Sequence, residues 1–166
     1  ADILAVTYYH RHANWNYLLK LIPWMAFGVL VGVWLGADLP NNYFKYGMAV
    51  IILISVIVMF WWDRTAKHAL SSKILAPVMG LVAGFATMVG NLAGAFSNIY
   101  FLSMRLPKNE FIGTAAWLFF IINLFKLPFH ILVWGTITWQ SSIISLKIFP
   151  FVLLGFIVGI RLVKRI

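Results

Sequence analysis

An all-α integral membrane protein, a polytopic helical bundle with inverted repeats and a broken re-entrant helical hairpin, is the fold that this sequence predicts. Three observations carry the prediction. Hydrophobic residues make up 63% of the 166 positions and charged residues only 10%, and the mean hydropathy is +0.92, well outside the range of soluble domains. Apolar runs of about spanning length recur along the chain. Strand-like alternation of apolar and polar residues is absent, so helices are expected throughout one transmembrane domain covering residues 1–166.

The elements follow in order. Residues 1–12 read as the end of an apolar helix running into the basic loop His10-Arg11-His12, without the pattern of a signal peptide. Residues 17–35 and 43–62 are each long and apolar enough to cross a bilayer. Residues 75–106 form an apolar stretch too long for one crossing. As a straight helix, Leu75 to Met104 would extend about 45 Å against a hydrocarbon thickness of roughly 30 Å. Gly90-Asn91-Leu92-Ala93-Gly94 interrupts it at its centre. Backbone that leaves helical geometry at membrane depth must be shielded by protein or line a cavity, because lipid cannot bond its freed N–H and C=O groups. Residues 110–134 and 143–163 complete the set as two further spans.

Two patterns point to a hairpin at the interruption. Pro23, Gly28 and Gly32 in the first span repeat as Pro150, Gly155 and Gly159 in the last, both as P-x4-G-x3-G. Glycines at this spacing let membrane helices approach closely, and the matching proline adds the signature of a duplicated unit. Basic residues give the second pattern, since cytoplasmic loops carry an excess of Lys and Arg. If every segment simply crosses, the basic residues divide equally between the two sides. If 75–106 turns back at Gly90-Asn91, then Arg105, Lys108, Arg161, Lys164 and Arg165 join Arg11, Lys20, Arg64, Lys67 and Lys73 inside, leaving Lys45 and Lys147 outside and Lys126 in the membrane. The same turn makes the two proline–glycine helices run in opposite directions, as in an inverted repeat. Aligning the repeats leads to the expectation that a helix follows Ile166 and a hairpin precedes Ala1, so the chain reads as an internal piece of a larger transporter.

Candidate binding residues cluster at the interruption and on the helix after it. A half-helix ending inside the membrane presents unpaired N–H groups and a positive dipole end suited to a small oxyanion. Gly90, Asn91 and Gly94 are therefore candidate contacts, with Thr87 and Asn98 as directed hydrogen-bonding groups nearby. For Thr87, Ser97 and Tyr100 the simpler reading is that they satisfy the broken backbone or bridge helices. Asn123, Lys126 and His130 share one helix face that should point inward. Lys126 has two readings. It is a counter-charge for an anionic substrate, or a side chain whose stem snorkels to the interface about 12 Å away at Trp134. Pro128 frees the carbonyl of Leu124, and His130 reads as structural. Thr114 caps the first turn of its helix or faces the substrate path.

Other chemistries find little footing. The absence of cysteine excludes disulfides and thiolate metal sites within the chain, and no metal site, cofactor or catalytic group is called for. The acidic residues are Asp2, Asp38, Asp63 and Glu110, all but Asp2 near span boundaries, so no carboxylate is expected at mid-membrane depth. The net charge of +9 resides in short clusters flanking spans, which fits membrane topology rather than nucleic-acid binding.

The chain resembles the sulfite exporter TauE/SafE family of membrane permeases along nearly its whole length. The resemblance rests on Ala1-Asp-Ile-Leu-Ala-Val with Tyr8-Tyr9 and Arg11, on Pro23, Gly28 and Gly32, and on Gly84-Phe-Ala-Thr-Met-Val-Gly90-Asn91-Leu-Ala-Gly94. It continues through Phe111-Ile-Gly113-Thr114-Ala, Asn123, Lys126 and Pro128, then Pro150, Gly155, Gly159 and Arg161. It implies a multi-pass inner-membrane transporter of two related halves that exports small sulfur-containing anions such as sulfite or sulfonates. Where the family usually has Pro after Gly94, this chain has Ala95. The expected partners are a small anionic substrate and the lipid bilayer, without nucleic acid, and a homodimer is compatible with this reading. A transporter of another small anion and a non-transporting membrane scaffold are the alternatives. An intramembrane enzyme would need a nucleophile–base pair or a metal cluster that the sequence does not display.

Overall fold

The computed structural model describes residues 2–37 and 72–165, together with 46, 47, 49–54, 56, 57 and 60 between them. Every regular element among these is helical. Helix α1 spans Asp2–Tyr9 and passes through a 3-10 turn, His10–His12, into α2, Trp15–Ala37. Helix α3 spans Ser72–Gly90, α4 Ala93–Ser103, α5 Lys108–Leu132 and α6 Trp139–Arg165. Eleven of the twenty residues of the span predicted at 43–62 are described, and all eleven are helical; the others lie outside the described residues. Three helices, Trp15–Gly36, Lys108–Leu132 and Trp139–Val163, are long and apolar enough to cross a membrane.

Close approach of α2 and α3 forms the centre of the bundle. A Cβ at Gly80 would strike Trp24 and Leu21, one at Gly84 would strike the Met25 backbone, and one at Gly32 would meet Met88. Early residues face early residues and late face late, so the two helices run parallel. Between lipid-immersed helices little hydrophobic gain is available, and van der Waals contact at small residues supplies the adhesion. Leu18, Leu21, Met25 and Val29, spaced as one helical stripe, are fully buried against this contact. The opposite face exposes Leu19, Phe27 and Trp34, as expected of a surface that meets lipid tails.

Helix α4 returns along the bundle. The chain leaves α3 at Asn91, whose φ of 57° breaks the helix, and the two residues Asn91-Leu92 separate α3 from α4. Asn tolerates this left-handed geometry better than other residues with a Cβ. The Tyr100 ring then lies 6.4 Å from that of Tyr17, at the start of α2, and Phe101 stacks edge-on to Phe111 at the start of α5. Both arms of the hairpin therefore have their outer ends at one end of the bundle.

Helix α5 runs parallel to α2. A Cβ at Gly113 would lie 2.9 Å from the His12 carbonyl carbon and from the Tyr9 oxygen, Trp117 contacts Trp15 with ring centroids 5.2 Å apart, and Trp134 covers Gly36. Thr114 Oγ1 accepts a hydrogen bond from the Asn14 amide at 2.8 Å, and the Asn14 side chain donates to Glu110 at 3.1 Å. These bonds tie the start of α2 to α5. Helices α1 and α6 run against α5, since Tyr8 meets Phe156 and the Lys108 ammonium donates to the Val163 carbonyl. His10, Arg11, His12, Arg105, Lys108 and Arg161 thus gather at one end, hereafter the basic end.

The α2–α3 contact predicts that Gly84→Ala destabilises the protein by about 1–3 kcal/mol, the usual cost of overpacking. Gly94→Ala, where a Cβ would meet Phe119 at an ordinary 3.7 Å, should leave stability unchanged. Melting temperatures of the two variants in detergent test the difference, and equal values would contradict the close approach.

Candidate functional site

The end of α3 is built to be held from outside. Its last carbonyls have no helical partner, a deficit every helix end carries. Here the Thr87 carbonyl accepts the Asn91 amide at 3.1 Å and the Leu92 amide reaches back to Ala86 at 3.2 Å. Thr87, packed at 2% exposure, keeps the carbonyl and hydroxyl on one side of the turn.

Lys126 on α5 closes this arrangement. Its Nζ donates to Thr87 O and to Thr87 Oγ1, both at 3.1 Å, and to Asn91 Oδ1 at 2.6 Å. The three hydrogens of the ammonium are matched by three acceptors, all neutral and all from the hairpin tip. The side chain is 7% exposed, and its head runs sideways into the tip instead of along the helix toward Trp134. A buried cation with neutral partners is costly inside a membrane, which makes Lys126 a candidate functional group.

A cleft of about 400 Å³ opens beside this cluster, lined by Thr87, Met88, Val89, Asn91, Lys126, His130, Trp134, Thr136 and Ile137. Three of its lining residues come from the stretch just after α5. Gly135 there has a φ of 58°, which glycine alone adopts without strain, and the resulting turn carries Thr136 back so that its amide donates to the His130 carbonyl at 3.0 Å. The Thr136 hydroxyl and His130 Nδ1 are also paired, at 2.9 Å. Polar atoms from α3, the tip, α5 and this turn therefore converge on one apolar-walled cleft, the usual form of a small-molecule site.

The structure brings together Thr87, Asn91 and Lys126 among the residues that the sequence nominates. Gly90 ends α3 beside them. Gly94 and Asn98 are not among the cleft-lining residues; a Cβ at Gly94 would face Phe119 on one side and Asn98 on the other. Thr114 neither caps its own helix nor borders the cleft. It stands in the seventh position of α5, fully buried, bonded to Asn14 at the basic end. Asn123 shares a helix face with Lys126 but donates to the Asp2 carboxylate at 2.5 Å.

That last bond corrects the expectation of no mid-membrane carboxylate. Asn123 stands fifteen residues after Lys108 and nine before Leu132, so Asp2 lies level with the middle of α5. The reason is packing: α1 runs antiparallel along α5, and an eight-residue helix carries no hydropathy signal that fixes its depth. His130, read from sequence as structural, lines the cleft, as does Trp134, read only as the end of its span; Thr136 and Ile137 were not nominated because they sit past the apolar run. Gly135, directly after the apolar run, is the sequence feature that marks a turn there and that the sequence reading passed over.

The family model described as Sulfite exporter TauE/SafE matches residues 1–166. No curated protein and no solved structure matches the chain.

Removing one acceptor of the tip tests how it is held. Thr87→Val keeps the side-chain shape and deletes Oγ1, and should cost about 1 kcal/mol, with faster hydrogen exchange at the Gly90 to Ala93 amides. Unaltered exchange at those amides would mean that Lys126 does not restrain the turn.

Proposed function

The chain belongs to the TauE/SafE sulfite exporter family, a family of membrane transporters, and from that premise we propose that it carries small sulfur-containing anions across the bacterial inner membrane, outward, through the cleft at Lys126. One observation carries this reading. Lys126 is a buried cation that shares a cleft with hydroxyl, amide and imidazole groups while meeting only neutral acceptors.

The chemistry of a sulfur oxyanion suits that set. Sulfite and sulfonates offer several oxygens around one centre, each able to accept from a different donor. The Lys126 ammonium, the hydroxyls of Thr87 and Thr136, the Asn91 amide and the His130 ring reach the cleft from different directions. Charge-assisted bonds from Lys126 would be the strongest of these. Its volume of about 400 Å³ leaves room for the carbon chain of an organic sulfonate along Met88, Val89 and Ile137.

Binding and movement are coupled through Lys126. In the structure its donors are spent on Thr87 and Asn91. An anion that recruits the ammonium takes donors away from the tip, so the hairpin is released when cargo binds. A ligand moves a conformational equilibrium only by its differential interaction with the two states, and exchange of partners at Lys126 supplies that difference. The hairpin, re-entrant from the basic end, then acts as the mobile element of alternating access.

Radiolabelled sulfite or sulfoacetate uptake into inverted vesicles tests the function. Flux above empty vesicles is expected, and its absence from folded protein would refute transport of these anions. Lys126→Met should raise the half-saturating sulfite concentration at least tenfold, the scale of losing one close charge interaction. An unchanged value would remove Lys126 from the site.

A further inference from the structure

Asp2 and Lys126 are two opposite charges at similar depth that do not touch. Asp2, half-buried, accepts from Asn123, and Lys126 lies one turn further along the same face of α5. All three donors of Lys126 go to the hairpin tip and none to the Asp2 carboxylate. Helix α1 packs chiefly on α5 and on the 3-10 turn that follows it. On those elements the charged and titratable groups other than Lys126 are His130, beyond it on α5, and Lys108, Glu110, His10, Arg11 and His12 at the basic end. On α6, which Tyr8 meets at Phe156, Lys147 stands at a similar level but is exposed. Among the described residues Lys126 is therefore the buried cation nearest in register to Asp2.

A carboxylate at mid-helix depth is as costly as an ammonium there, and each lowers the cost of the other. Together they make the resting cluster neutral. A transported anion adds a second negative charge to a cation that already has one at a distance. We propose that Asp2 is the resident counter-charge of Lys126, and that it sets the affinity of the cleft by opposing the incoming anion without contacting it.

This role rests on the reading of the cleft as an anion site, and it answers a requirement of that reading. A carrier must bind its cargo tightly enough to select it and weakly enough to release it. An isolated buried ammonium would hold an oxyanion too firmly. The carboxylate held by Asn123 keeps part of that attraction occupied. Asp2 is thus a positioning charge, acting on the substrate through Lys126.

Methanesulfonate, whose charge is constant across the working pH range, is the probe. Its equilibrium binding to the intact protein in detergent can be followed by tryptophan fluorescence, since Trp134 lines the cleft. Asp2→Asn preserves the hydrogen-bonding shape and removes the charge, and should tighten binding about tenfold, the scale of one partly screened charge pair. Asp2→Glu should bind as the parent does. Unchanged or weaker binding by Asp2→Asn overturns the proposal. So does an Asp2→Asn protein that fails to elute as a folded species, because Asp2 would then be structural. Absence of methanesulfonate binding by the parent protein would instead remove the anion site itself, and this role with it.

Discussion

Backbone that breaks inside a bilayer has no solvent to bond with, so whatever interrupts a helix there must be answered by another part of the protein. In this chain the answer is the Lys126 ammonium. Its three bonds to Thr87 and Asn91 supply donors where α3 stops and hold the turn against α5. The same ammonium lines the adjoining cleft. The side chain that holds the turn therefore also sets the charge of the cleft, and neither can be altered without the other.

The rest of the bundle places that side chain. Glycines on α2 and α3 bring the two helices into backbone contact, which fixes the first arm of the hairpin. The Asn14, Glu110 and Thr114 bonds anchor α5 to the start of α2. With α5 registered at one end and Trp134 seated over Gly36 at the other, the position of Lys126 beside the tip follows.

Much of this was legible in the sequence, and the limits have physical causes. Hydropathy marks membrane spans because lipid imposes a length and a polarity on them, so the bounds predicted for the segments that became α2, α5 and α6 lie within a few residues of the helices. The interruption at Gly90-Asn91 was legible because Asn and Gly tolerate backbone that other residues resist. Helical periodicity tells which residues share a face, as with Asn123 and Lys126, but not which neighbour that face meets. Asp2 and Asn123 are joined across 121 positions, and no local pattern encodes such a pairing. Gly94 and Asn98 failed to reach the cleft for the same reason. Their helix was identified, but its rotation about its own axis depends on tertiary packing, which buries Phe96, Ser97, Tyr100 and Phe101.

The common direction of α2, α3 and α5 has an electrical consequence. Peptide dipoles add along each helix, placing about half a negative charge at its carbonyl end, and these three helices bring their carbonyl ends toward the cleft side of the bundle. Helices α1, α4 and α6 run the other way, and α4 begins at the hairpin tip, two residues beyond the end of α3. The carbonyl end of one helix and the amide end of the next therefore meet there, and their opposite half-charges largely cancel. What remains at the tip is the full charge of the Lys126 ammonium, so the local potential is set by one side chain and not by the backbone of the bundle.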